Sequence, residues 1–232
     1  ATQQELAERS ALTRFPFDRT FVAHVESGNA PPSTARFLSY LSLLHADPNT
    51  VLKLVDVAIE HESVPMGLEY LEYLLHAKRC HVEGKWDEAI NWLFVGLRRA
   101  EEGGDKVWAA KLKIGASIVL RSQRAMLLAR RMAEEALNCK EIDDGDSVRA
   151  AIMVSQTCRY SEDYQGALAY LLLAASIKPA GDELLSTQLA QTRASLALTL
   201  NQHAEAATYY EICVSGYERL GIRNEEANVR SI

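Results

Sequence analysis

An all-α array of repeated helix-turn-helix units is the fold class this sequence predicts, on three observations. One phrase, a turn, a small residue and an apolar helix that carries a second small residue, recurs four times. The small residues that anchor it, Ala89, Ala129, Ala167 and Ala206, recur at a nearly constant interval of about 39 residues. The composition of the 232 residues, 48% hydrophobic, 24% charged and 7% aromatic, is that of a globular chain and excludes a disordered, collagenous or membrane-embedded one. Repeat arrays grow without a domain boundary, so residues 1–232 are expected to form a single repeat domain.

Residues 1–31 contain Phe15-Pro16-Phe17 and the break Ser27-Gly28-Asn29-Ala30-Pro31-Pro32, and they are expected to form a helical cap. Residues 32–65 read as a divergent repeat. Within it Asp47-Pro48-Asn49-Thr50-Val51 opens a helix with Asp as N-cap and Pro in the first turn, and Ala58 falls at the later small position. Four readable repeats follow at 66–104, 105–145, 146–181 and 182–221. Their second helices open at Gly84-Lys85-Trp86-Asp87-Glu88-Ala89-Ile90, Arg124-Ala125-Met126-Leu127-Leu128-Ala129, Glu162-Asp163-Tyr164-Gln165-Gly166-Ala167-Leu168 and Asn201-Gln202-His203-Ala204-Glu205-Ala206-Ala207. They run to the small residues Gly96, Ala136, Ala174 and Cys213.

Each second helix is preceded by a helical stretch such as Val107 to Leu120 or Val148 to Tyr160. Two antiparallel helices joined by a tight turn approach closely only where the crossing carries Ala or Gly. Trp86, Met126, Tyr164 and His203 share one position after the turn, where a bulky side chain can cover the end of the pair. Residues 222–232 read as the start of a further helix. A stop at Arg230-Ser231-Ile232 suggests a fragment of a longer protein, the other reading being that this short helix is the polar cap a solenoid requires.

Gly84 to Ile90, and Asp163 to Pro179 with Ala174 between them, resemble the tetratricopeptide repeat (TPR) family, whose unit carries a G-x-Y/W-x-E-A-hydrophobic turn, a later alanine and often an exit proline. The resemblance covers roughly Ser33 to Arg230. The second and fourth copies keep the alanines and lose the glycine. The period is longer than the family's usual unit of about 34 residues. In this it is similar to a longer variety found in bacterial regulatory and signalling proteins. The resemblance implies an all-α, right-handed superhelix (an α-solenoid), with a concave face lined mainly by the first helix of each unit.

With 25 Lys+Arg against 31 Asp+Glu the chain carries a formal net charge of -6, so nonspecific attraction to nucleic acid or anionic membrane is disfavoured and any anion site must be local. Cys80, Cys139, Cys158 and Cys213 are scattered without a metal or redox spacing, and they read as small apolar residues of a chain kept in a reducing, cytoplasmic compartment. Ala1 to Leu6 lack a signal-peptide profile, and the longest apolar run, Leu168 to Ile177, is too short to span a bilayer.

Polar residues repeated in phase along the first helices are the candidate ligand contacts. Lys106, Lys113, Ser117, Arg121 and Arg124 follow one another at helical spacing and form one stripe. Arg149, Gln156 and Tyr160, flanked by Arg159, do the same in the next unit, and Gln188, Thr192, Ser195 and Thr199 form an uncharged stripe in the last. From Lys106 to Ala133 there are seven basic residues and no acidic one. That run would attract a carboxylate or phosphate by charge-assisted hydrogen bonds, or it is a solvated face paired with Glu101-Glu102 and Asp143-Asp144.

Catalytic signatures are missing: there is no G-x-S-x-G elbow, H-E-x-x-H pair or phosphate-cradling glycine loop. His61-Glu62-Ser63 and the pair His76 and His81 read as helix-surface histidines, Gly103-Gly104-Asp105 as a connector with an N-cap, and the tyrosines at 160, 164, 170, 209, 210 and 217 as packing residues. The Lys and Asn pattern by which some family members hold a peptide carboxylate is not found. No enzyme activity, cofactor or metal is therefore expected. The sequence reads as a noncatalytic scaffold that binds a protein or an acidic peptide through Lys113, Arg121, Arg124, Arg149, Gln156 and Tyr160, with neither nucleic acid nor membrane as a direct partner. A second reading is the effector-binding input domain of a larger signalling protein with a cyclase or DNA-binding output domain. Self-association through a terminal repeat face is a third.

Overall fold

The structure, a computed structural model, describes residues 64–65, 67–177 and 181–222, all within the compact unit Glu60–Ile232. The expected cap at 1–31, nearly all of the divergent repeat at 32–65, Pro179 and the helix at 222–232 lie outside the described residues, apart from Ile222. Among the described residues there are eight helices and no strand. They are α1 (Tyr70–Val82), α2 (Trp86–Glu102), α3 (Lys106–Ser122), α4 (Met126–Leu137), α5 (Asp144–Tyr160), α6 (Tyr164–Ser176), α7 (Glu183–Thr199) and α8 (His203–Leu220).

Each helix packs on the next in the chain, and each odd-numbered helix also meets the following odd-numbered one. The odd helices thus form a continuous layer of an α-solenoid, which is the predicted fold class. Local chemistry explains the boundaries. The turns within the four pairs are stopped by left-handed residues at equivalent places, Gly84 (φ 75°), Arg124 (61°), Glu162 (61°) and Asn201 (59°). In each, the amide of the following residue bonds back to a carbonyl five residues earlier, as in Lys85 N to Cys80 O (2.9 Å) and Asp163 N to Cys158 O (2.9 Å), the closure of a Schellman motif. Asp105, Asp143, Asp163 and Asp182 then cap α3, α5, α6 and α7 through their side chains.

Three of those four turns place a side chain where glycine is preferred, at roughly 1–2 kcal/mol each for Arg124 and Glu162 and less for Asn201, whose short polar side chain tolerates this region. Glycine at exposed Glu162 removes that strain but adds freedom to the unfolded chain. Glu162→Gly is expected to raise the unfolding free energy by about 0.5 kcal/mol. A lower urea midpoint would count against the turn geometry.

The anchoring small residues are buried as the repeat requires: Ala89, Ala129 and Ala167 are 0% exposed and Ala206 2%. At Gly96 a Cβ would lie 2.9 Å from the Cβ of Tyr73, so α1 and α2 touch there backbone to side chain. Burial pushes the thiols of Cys158 and Cys213 up to about 11, and Cys80 is also buried. Cys139 departs from expectation. It sits half-buried in the α4–α5 connector with Sγ 3.3 Å from Glu141 Oε2. The apolar run in α6 is outward-facing in part, with Leu168 and Leu172 about half exposed.

Candidate functional site

One groove of about 1010 Å³ runs across the first helices of all four described units. Leu71, Leu74, Lys78 and His81 of α1 line it first, then Trp108, Lys111, Gly115 and Ile118 of α3. Arg149, Met153, Gln156 and Tyr160 of α5 and Gln188, Thr192 and Ser195 of α7 continue it, and Tyr217 and Ile222 close the far end. These positions recur at the repeat spacing, because side chains three or four residues apart share a helix face. The α1–α3 end is mainly apolar, and the α5–α7 end is mainly polar.

The charge of the groove opposes that of the chain. Lys78, Lys111, Arg121, Arg149 and Arg159 line it against one acidic residue, Asp146, in a chain of net charge -6. Two rows of polar contacts cross the repeats. In the first, Lys111 Nζ lies 3.3 Å from Asp146 and 3.7 Å from Asp143. Arg149 pairs with Asp146 at 2.8 Å and with Asp182, the N-cap of α7, at 3.2 Å. In the second, Arg121 Nη1 donates to Gln156 Oε1, and Gln156 Nε2 donates to Thr192 Oγ1 at 3.0 Å. Beside this row the Arg159 guanidinium covers the Tyr160 ring at 4.4 Å and reaches Thr199 Oγ1 at 3.4 Å.

Of the residues expected to bind, Arg121, Arg149, Gln156 and Tyr160 all line this groove. Lys113 and Arg124 do not. Lys113 lies on the side of α3 that meets the second helices, paired with Glu101 of α2 (3.0 Å) and Glu135 of α4 (3.1 Å). Burial opposes its charge, yet the two carboxylates outweigh burial and raise its pKa. Arg124 is the exposed left-handed residue of the α3–α4 turn. Ser117 of the same stripe is fully buried and bonds to Ile114 O. The stripe counted from Lys106 is therefore out of phase: two residues turn a helix by about 200°, which puts Lys111 and Lys113 on opposite sides. Arg121 reaches the groove from its rim. Much of the basic run is structural pairing, since Lys106, Arg130 and Arg131 meet Glu141, Glu134 with Asp163, and Glu135.

Sequence reasoning missed Lys111, Trp108, Lys78 and His81 as groove residues. The available signal was the phase of the apolar positions of α3 relative to α5, which places Lys111 level with Arg149 of the following unit. His81 is not a plain surface histidine: it lines the groove, and its Nε2 lies 3.0 Å from Ser122 Oγ. Burial, then the charge of Arg121, lower its pKa below the ordinary 6.5. The folded chain therefore binds this proton less readily than the unfolded chain, and stability falls as pH drops below 6.5 and is unaffected above it. The urea midpoint is expected to fall between pH 7 and pH 5, with a smaller fall in His81→Gln. An equal fall in both proteins would remove His81 from that role.

No family model and no curated protein matches the chain. Among solved structures it is similar to the apo form of RapI at 17% identity, with a TM-score of 0.51, over 88% of this chain and 60% of that one. It is also similar to Bacillus thuringiensis PlcR in complex with the peptide PapR7 and DNA, at 12% identity and a TM-score of 0.53, over 98% of this chain and 93% of that one. The fold is TPR-like. The TPR-like chain spans 60% of the length of the RapI chain. At these identities the likeness establishes the fold of the TPR-like repeats and not what their groove holds. No helix among the described residues is long and apolar enough to cross a membrane.

Proposed function

We propose that the chain is a noncatalytic regulatory scaffold whose groove holds an extended peptide of acidic character. The observation that carries this reading is the groove itself, which crosses four successive first helices and gathers five basic side chains against one acidic. At the usual spacing of packed helices, four of them span roughly 25–30 Å, enough for about eight extended residues. The apolar α1–α3 end, with Leu71 50% exposed and Trp108 nearby, suits apolar anchors of the same peptide. The contacts we assign are Arg121, Arg149, Gln156 and Tyr160, joined by Lys111 and His81.

The structure of PlcR with a peptide supports the reading as analogy, and the DNA in that complex gives a specific reason to keep the second one. In it, the chain is the input part of a larger regulator of the long-period bacterial variety, and occupancy of the groove shifts an output domain. That comparison lends no support to the exclusion of nucleic acid drawn from overall charge.

The test uses fluorescein-labelled heptapeptide pools and anisotropy at physiological salt. Saturable binding is expected, weakened at least tenfold by Arg121→Glu and unchanged within twofold by Arg124→Glu, because only Arg121 lines the groove. Equal losses in the two variants would mean that general charge, and not the groove, attracts the peptide.

A further inference from the structure

Among the described helices α6 alone carries no charged side chain, from Tyr164 to Ser176. A helix that is apolar all round is normally buried, because no side of it favours water. Ala167, Leu171 and Ala174 are buried among side chains of α4, α5 and α7, but the opposite side is open. Leu168, Leu172 and Leu173 are 45%, 54% and 40% exposed, and Gln165, Ala169 and Ser176 stand exposed beside them. Spacings of three and four residues place these six on one side of the helix. That side faces away from the groove, which no residue of α6 lines. One repeat earlier, at the places of Leu168, Ala169, Leu172 and Leu173, α4 carries Arg130, Arg131, Glu134 and Glu135, charges suited to a face in water. Exposed apolar patches mark interaction sites.

The outward face of α6 is complementary to itself. In an antiparallel pair of α6 helices centred between Tyr170 and Leu171, Gln165 meets Ser176 of the second copy, Leu168 meets its Leu173 and Ala169 meets its Leu172. Each contact then occurs twice across a two-fold axis, as an isologous interface requires. A small side chain opposes a large one at the centre, a polar pair stands at each end, and no charge is buried. A parallel pair would instead set Ala169 against Ala169 and leave a gap between larger neighbours.

The charges beside α6 follow the same symmetry. α4 is tied to the start of α6 by Arg130 Nη1 and Asp163 Oδ2, 3.3 Å apart. In the antiparallel register Arg131 of one copy lies opposite Glu134 of the second, and Arg130 opposite its Glu135. Opposite charges therefore face each other on this flank, which favours this pairing over others. Arg131 is 73% exposed and so free to turn toward a second copy.

We propose that the outward face of α6 docks a second copy of this chain, in an antiparallel two-fold pairing flanked by α4 against α4. The 13 residues of α6 span about 20 Å, so the contact falls at the small end of stable interfaces, near or below about 800 Å² per copy. The dimer is correspondingly weak and reversible. It does not depend on the peptide-binding reading, and it leaves the groove of each copy outside the contact.

Sedimentation velocity of the full chain over about a hundredfold range of concentration is expected to show a monomer–dimer equilibrium with a dissociation constant of roughly 1–100 µM. Leu172→Glu, which sets a carboxylate against Ala169 of the second copy, is expected to weaken it at least tenfold with unchanged circular dichroism. Leu75→Glu, on the half-exposed side of α1, is expected to change it by less than twofold. The register is read by two double variants at low salt. Gln165→Lys with Ser176→Glu places opposite charges across the axis and is expected to tighten the dimer, whereas Gln165→Lys with Ser176→Lys is expected to weaken it several-fold.

A chain that stays monomeric throughout overturns the proposal and leaves this face to a partner of another kind. A dimer that survives Leu172→Glu, or is lost equally in Leu75→Glu, lies elsewhere on the molecule and overturns it too. Equal effects of the two double variants overturn the antiparallel pairing on which the proposal stands.

Discussion

Tyr73→Ala is expected to lower the unfolding free energy by about 4 kcal/mol, the size usual for emptying a buried aromatic site. Tyr73 is 0% exposed and fills the crossing of α1 and α2, directly over the space that Gly96 leaves open. Its hydroxyl donates to Pro65 O at 3.0 Å and accepts from Arg99 Nη1 at 3.3 Å, and its ring tilts against Trp92 with centroids 6.0 Å apart. Removal leaves a cavity lined by backbone at Gly96, which cannot collapse inward as a longer side chain could. It also strips partners from Arg99, whose pKa is raised first by the bond to Tyr73. Tyr73→Phe separates the two contributions and should cost about 1 kcal/mol, the net worth of a typical hydrogen bond. Urea unfolding followed by circular dichroism reads both. Equal losses in the two variants would show that the hydroxyl, and not the filled volume, holds α1 to α2.

Ala167→Leu is expected to cost about 1–3 kcal/mol through overpacking. Ala167 is 0% exposed where α6 crosses α5, and its carbonyl accepts from Ser155 Oγ at 2.8 Å. Ala133, Met153, Val154, Cys158, Leu171 and Leu196 make up the rest of that core cluster, so three added carbons have no space to enter. The adjacent Leu168 is 45% exposed, and Leu168→Ala should change stability by no more than about 0.5 kcal/mol. A solenoid transmits stability between neighbouring units, so the loss in Ala167→Leu should also weaken protection from amide exchange in α7 more than in α1. An unchanged melting temperature in Ala167→Leu would undo the assignment of this position to the helix crossing.

The helix pairs were legible because their cause is local. A small residue must stand at each close crossing, so Ala89, Ala129, Ala167 and Ala206 mark the period without any knowledge of neighbours. The Asp105 cap and the Gly84 turn announce themselves in the same way. Arg124 and Glu162 in left-handed turns were not legible as such, because the packed pairs on either side, and not local preference, hold those φ angles, whereas Asn201 has a local tendency toward this region.

The site was legible where long side chains repeat in phase on a helix whose apolar face is plain. That held for Arg149, Gln156 and Tyr160 on α5. On α3 it failed, since a helix bearing three lysines at 106, 111 and 113 offers several stripes, and sequence contains nothing that ranks them.

The fold class, the regular spacing of the small residues and the excess of acidic over basic charge follow from the amino-acid order alone. The stacking of the helices settles which lysine faces the groove and which of its cations carboxylates already match. Composition and periodicity depend on contacts within one unit. The carboxylate partners of Lys111 and Lys113, and the Thr199 hydroxyl that Arg159 reaches, stand outside the helices that carry them, so their state follows from how the helices stack.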